Sequence, residues 1–186
     1  MIISDIRAFP GLKVIELKFH GDDRGFFVER FNAALFEEAG LPTHFVQDNH
    51  SYSSPGVIRG MHYQWDRPQG KLISVITGAI LDVVTDLRPN SPSFGKTFSI
   101  ELTRDNGKCL WVPAGFAHGF CVLGNEKADV VYKVDALYNS KGESGIRWDD
   151  PDLAIEWPIQ DPEVSDRDKG LASFKEYQQR PPQAFI

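Results

Sequence analysis

Within residues 47–71, QDNHSYSSPGVIRGMHYQWDRPQGK, the chain carries an arginine, a histidine and a lysine: Arg59, His62 and Lys71. Side-chain amides at Gln47, Asn49 and Gln64 accompany them. An imidazole moves protons near neutral pH, an ammonium stabilises an anion that develops beside it, and a guanidinium grips an oxyanion through two hydrogen bonds. Together they make an active-site inventory. A strand built only for stability alternates apolar and polar residues. Here Arg, His and amides interrupt a few aliphatics, so the inner face of such a strand would be polar. Inward polar groups cost free energy unless they are hydrogen-bonded or hold a ligand. The competing reading is an exposed, solvated hairpin.

Strict alternation puts His62 and Gln64 on one face and Arg59 on the other. For Arg59 and His62 to serve one pocket, the strand must kink between them. Gly60 is the residue that permits a bulge there.

The elements that must position these groups are mostly strands. Residues 12–19, LKVIELKF, place Ile15, Leu17 and Phe19 on one face, predicting a single strand with one buried face. The turn HGDDRG follows and leads through Phe26, Phe27 and Val28 to Glu29 and Arg30. Residues 33–39 form a short helix, with Asn32 as its cap and Gly40 at its end. KLISVITGAILDVVTDLR, residues 71–88, predicts two strands joined through a tight turn at Gly78. The second run carries aliphatics on both faces, as expected if its sheet packs against a second sheet or another subunit. FSIEL, CLWV, AHGFCVL and DVVYKV then repeat at short intervals between turns, which indicates an all-β sandwich or barrel. After Tyr138 the chain becomes irregular, with Trp148 and Trp157 expected to pin it to the sheets and a terminal helix expected over 169–178.

The chain has 186 residues, 41% hydrophobic and 25% charged, enough for one domain with a substantial core, spanning 1–186. Its formal net charge is −6 and it has no long basic run, so a nucleic-acid backbone is not the expected partner and any anionic ligand must be met locally. No apolar run is long enough to span a membrane. The two cysteines, Cys109 and Cys121, lie in apolar strands, and no basic-then-apolar leader precedes the chain. Reduced, buried thiols and a cytoplasmic location are the expectation.

PAGFAHGF, residues 113–120, is a turn feeding a strand that presents His118. With His62 and the many short strands, it resembles the second motif of the cupin superfamily, which implies a double-stranded β-helix, or jelly-roll, with a few short helices. Metal-binding cupins supply two histidines one residue apart in their first motif. Here that pair is His62 and Gln64, an incomplete ligand set, so a pocket working without metal or other cofactor is expected.

The ordered segments DDRGFFVERF, FVQDNHSYSSPGVIRGMHYQ, GKLISVITGAILDVVTDLRPNSPSFG, WVPAGFAHGF, VVYKVDALY, IRWDDPDLAIEWP and VSDRD resemble the dTDP-4-dehydrorhamnose 3,5-epimerases over nearly the whole chain. That family inverts C3 and C5 of a nucleotide-linked 4-keto-6-deoxy sugar. Hydrogens beside a ketone leave only if the enolate is stabilised, so the reaction needs a base, an electrophile at the ketone oxygen and an acid on the opposite ring face. The resemblance implies His62 as base, Asp168 orienting it, Lys71 at the ketone oxygen and Tyr132 as the acid. It also implies substrate contacts from Arg24, Glu29, Gln47, Asp48, Asn49, Arg59, Lys71, His118, Glu143 and Arg167, with Tyr138 stacking on the thymine. A homodimer is implied as well. Two alternatives stay open: an epimerase acting at one carbon of a related sugar, and a non-catalytic cupin that binds a sugar nucleotide.

Overall fold

The computed structural model describes residues 1–186. Short strands dominate, and they form two facing sheets. The first sheet runs β1 (Ile2–Asp5), β2 (Lys13–Glu16), β10 (Lys108–Val112), β7 (Lys71–Thr77), β12 (Ala128–Val134) and β5 (Gln47–Ser53). The second runs β13 (Glu143–Gly145), β6 (Val57–Gln64), β11 (Phe116–Val122), β8 (Ala79–Asp86) and β9 (Thr97–Thr103). A short β14 (Glu163–Val164) pairs parallel with β6, and β3 (Phe19–Asp22) with β4 (Gly25–Val28) makes a separate hairpin. The expected all-β sandwich is what forms.

Why the sheets face each other follows from their side chains. Val14, Ile73, Leu110 and Val130 of the first sheet and Ile80, Val84, Leu102 and Phe120 of the second belong to one buried cluster. Burial of such side chains contributes about 1.5–3 kcal/mol each, so this inter-sheet layer is the main apolar driving force. The outer face of the second sheet is covered by Phe174, Tyr177 and Phe185 of the C-terminal region, packed on Met61, Tyr63 and Val83. The aliphatics on both faces of β8 are thus matched by a sheet on one side and the chain's own C-terminus on the other. They are no sign of a subunit contact.

Three sequence expectations change. Residues 12–19 are not one strand: β2 ends at Glu16, and the chain turns into the β3–β4 hairpin. Nor has β2 a single buried face, because Val14 enters the inter-sheet core while Ile15 packs on Phe36 and Trp111 outside it. Phe36 comes from helix α1 (Ala33–Glu38), whose cap is Asn32, accepting the Leu35 N–H at 3.3 Å. Strands β7 and β8 flank Gly78 as expected but do not pair with each other. Gly78 passes the chain from one sheet to the other. The single terminal helix is two: α2 (Asp166–Lys169) ends at Gly170, and Ser173 starts α3 (Phe174–Gln179) with a capping box to Glu176. The indole N–H of Trp157 donates to the Trp148 carbonyl at 2.8 Å, fixing the irregular segment between.

The kink expected at Gly60 is present. On β11 the residues opposite Arg59 and His62 are Phe120 and His118, so Gly60 and Met61 together face the single residue Gly119. This is a β-bulge with the extra residue on β6. Gly60 has φ +124°, and a Cβ there would fall 2.5 Å from the Gly119 Cα. A side chain is excluded both by the backbone conformation and by the approach of the two strands. Gly60→Ala should therefore cost roughly 3 kcal/mol, the sum of backbone strain and overpacking, in urea unfolding. A loss below about 1 kcal/mol would show that the strands separate easily.

Candidate active site

Between the sheets opens a cavity of about 620 Å³. The first sheet lines it with Gln47 and Asn49 of β5, Lys71 of β7 and Tyr132 of β12; the second lines it with Arg59 and His62 of β6, His118 and Phe120 of β11 and Glu143 of β13. Alternation in each strand turns these side chains inward. The bulge is what lets Arg59 and His62 both reach the cavity.

His62 Nε2 lies 2.7 Å from Asp168 Oδ1. The other carboxylate oxygen accepts the backbone N–H of Gly60 at 3.1 Å. Ser165 is the cap of α2, and its hydroxyl accepts the Asp168 N–H at 3.1 Å. With Ser165 as the cap, the whole Asp168 carboxylate is left for β6. Burial pushes the Asp168 carboxyl up, but the His62 hydrogen bond and charge, with the Gly60 N–H and Arg167, outweigh it and hold it below its ordinary value. Asp168 is an ionised anchor that fixes the imidazole.

Lys71 is almost fully buried. Burial pulls its pKa down to about 8, against the opposing pull of Glu143, Asp135 and Asp82. It remains mainly an ammonium at neutral pH. The folded chain binds this proton less tightly than the unfolded chain. Charged Lys71 therefore opposes folding most fully below about pH 8, and the opposition fades as pH rises toward 10.5. Stability is given up here for a cation next to the cavity. Tyr132 is partly buried; burial first, then Glu143, raises its pKa, so its phenol keeps its proton throughout the neutral range.

At the mouth, the Tyr138 hydroxyl donates to Glu143 at 2.8 Å, and Arg167 donates to the same oxygen at 2.5 Å. The Tyr138 N–H donates to Gln47 at 3.0 Å, and Gln47 donates to Asn49 at 2.8 Å. These bonds present the half-exposed Tyr138 ring as a flat platform. Arg59 donates to Ser53 at 2.9 Å, which orients its guanidinium. His118 Nε2 lies 2.8 Å from Asp82 Oδ2.

Not every expected residue is here. Arg24 sits on the β3–β4 hairpin with its side chain 90% exposed and paired with Asp22. Glu29 follows the hairpin and accepts from Asn32. Asp48 points to the opposite face of β5 from Gln47 and Asn49, where it pairs with Lys133 at 3.0 Å. None of the three lines the cavity within this chain. Gln64 is a clasp: it donates to the Arg67 and Leu137 carbonyls and accepts the Asn139 N–H. No three His, Cys, Asp or Glu side chains converge as metal ligands. Asp82 is the residue that sequence reasoning misses, and its signal is an acid among the inward aliphatics Ile80 and Val84. Cys109 and Cys121 are buried free thiols, and no helix is long and apolar enough to cross a membrane.

Residues 7–176 match the family model described as dTDP-4-dehydrorhamnose 3,5-epimerase. The enzyme of that name from Shigella flexneri is 50% identical over 161 residues, covering 86% of this chain and 88% of its own. The crystal structure of dTDP-6-deoxy-D-glucose-3,5-epimerase from Legionella pneumophila, in complex with dTDP-4-keto-L-rhamnose, is 45% identical, with a TM-score of 0.84 and 87% of each chain covered. A 3′-monoepimerase from Streptomyces bikiniensis, in complex with dTDP-quinovose, is also similar: 31% identity and a TM-score of 0.87 over 92% of this chain and 88% of that one. By sequence and by fold, this chain belongs to the dTDP-4-dehydrorhamnose 3,5-epimerase family, a family of isomerases.

Proposed function

We propose that this chain inverts C3 and C5 of dTDP-4-keto-6-deoxy-D-glucose, giving dTDP-4-keto-L-rhamnose for dTDP-L-rhamnose synthesis. The observation that carries this reading is the opposition of His62, on the second sheet, to Tyr132 and Lys71, on the first, across one cavity. A sugar ring held between the sheets meets a base on one face and an acid on the other. That is what inversion requires.

His62 takes the proton from the carbon beside the ketone, and Asp168 holds the imidazole that becomes charged. The electron pair moves onto the C4 oxygen, where the Lys71 ammonium stabilises the enolate. Tyr132 then delivers its proton to the same carbon from the far face. The cycle repeats at the second carbon, and solvent restores both residues. Every step is a proton transfer and balances without an electron acceptor, so no cofactor is needed. Arg59, His118, Gln47, Asn49, Glu143 and Arg167 hold the nucleotide sugar, with Arg59 suited to the pyrophosphate and Tyr138 to stacking on thymine.

Arg24 and Glu29 can contribute only from a second copy, because their hairpin lies away from the cavity of its own chain. Phe26 and Phe27 on that hairpin are 47% and 70% exposed, an apolar surface suited to such a contact. We take the working form to be a homodimer in the cytoplasm, where its two thiols stay reduced. The single-carbon reading is supported by the likeness to the 3′-monoepimerase.

In deuterated water, the C3 and C5 proton signals of dTDP-4-keto-6-deoxyglucose should both disappear with wild-type enzyme. His62→Ala should slow this by roughly 10³-fold while binding dTDP as before. Loss of one signal only would make the chain a single-carbon epimerase, and near-normal exchange by His62→Ala would refute the base assignment. The kcat/KM should fall as pH rises through about 8, where Lys71 loses its proton; a flat profile to pH 10 would remove Lys71 from the enolate. In sedimentation the protein should be a dimer, and Arg24→Ala should weaken dTDP binding without dissociating it. A monomer of full activity would rule out the shared site.

A further inference from the structure

Four carboxylates are buried in this molecule: Asp82, Asp86, Asp150 and Asp168. Three are well partnered. Asp86 accepts from Arg88, Ser91 and Ser93; Asp150 accepts the backbone N–H groups of Asp152, Leu153 and Phe174; Asp168 accepts from His62 and Gly60. Asp82 differs. It is completely buried, its one partner is the His118 ring, and its Oδ1 has no hydrogen-bond partner.

Its position makes this more costly still. On β8, Ile80 and Val84 share the inward face with Asp82 and belong to the inter-sheet core. Across the ladder Asp82 faces Phe120 on one side and Ile100 on the other. An aliphatic residue would continue this layer, whereas a carboxylate with an empty oxygen destabilises it. An acid retained where the local pattern calls for a hydrocarbon points to a functional demand.

What it serves is the next residue outward. The His118 side chain, 10% exposed, stands between Asp82 and the cavity. Its Nε2 is committed to Asp82, so only Nδ1 is left to meet a ligand. Resting on the epimerase reading above, we propose that Asp82 is a positioning residue that holds His118, by its Nε2–H, with Nδ1 turned to the cavity as an acceptor for a sugar hydroxyl, and that its carboxylate backs the Lys71 ammonium at the ketone oxygen. The carboxylate supplies a negative charge behind the Lys71 ammonium. The charged groups facing Lys71 are Glu143, Asp135 and Asp82; the groups facing Asp82 are the His118 ring and the Lys71 ammonium, which oppose the upward push of burial on its carboxyl. The cavity thus holds two histidine–aspartate pairs with different duties: Asp168 serves the base, and Asp82 serves the electrophile.

Asp82→Asn tests this, because the amide keeps the shape and still accepts from His118 but lacks the charge. Its kcat should fall about 10- to 100-fold, with KM within about threefold of wild type. The basic limb of kcat/KM should move to lower pH, since Lys71 loses a stabilising neighbour, and Tm should stay level or rise. A kcat within twofold of wild type with an unmoved limb, or a lower Tm with kcat retained, would make Asp82 merely structural. Should Asp82→Asn fail to fold, the ¹⁵N signals of His118 in the wild-type protein decide. Nε2 should carry its proton from pH 6 to 9, and a bare Nε2 would overturn the proposal. That readout needs no substrate, so its failure indicts this dyad alone, whereas absent wild-type turnover indicts the functional reading.

Discussion

The arrangement of the whole site depends on two glycines meeting where β6 crosses β11. A Cβ on Gly60 would strike the Gly119 backbone, and one on Gly119 would fall 2.8 Å from the Arg59 carbonyl and 2.7 Å from the Met61 sulfur. Because neither residue has a side chain, the strands approach closely enough for β6 to carry one residue more than its partner. That extra residue changes the parity of alternation between Arg59 and His62. The freed Gly60 N–H then becomes a donor to Asp168. One local irregularity thus turns two side chains to the same cavity and docks the C-terminal segment whose Asp168 orients His62.

Around this point the fold spends stability on charge. Lys71, Asp82 and Asp168 are buried among residues that would pack better as hydrocarbons. Each is offset differently: Asp168 by hydrogen bonds, Lys71 by three carboxylates at a distance, Asp82 by the His118 imidazole and the Lys71 ammonium. The outer layers supply the compensation. Phe36, Leu41 and Trp111 seal the first sheet, and Phe174, Tyr177 and Phe185 seal the second. Sheets covered on their outer faces hold a polar interior open without exchanging it for collapse.

Much of this was legible in the residues themselves. Gly60 between two groups of opposite parity announced the bulge, and the punctuated run of short strands announced the two-sheet sandwich. His62, Lys71, Tyr132 and Asp168 are expected from resemblance alone, and the fold brings all four to one cavity. The rest depended on pairing that local sequence does not encode. Gly78 looks like a hairpin turn whether its strands pair or part, and β8 carries aliphatics on both faces whatever covers them. Arg24 and Glu29 belong to motifs that resemble a binding site, yet only three dimensions show that their hairpin stands apart from it. Asp82 was visible as a letter out of place, but its meaning lay in complete burial beside His118.

The central claim is that base and acid act from opposite sheets on one ring. The most direct test is Tyr132→Phe in deuterated water, with recovered starting sugar and inverted product analysed separately for deuterium at C3. The account predicts that deuterium enters the starting sugar, returned by His62 from its own face, while inversion falls by roughly 10²-fold or more. Inversion that keeps pace with exchange in this variant would contradict it, because the far-face proton would then come from elsewhere.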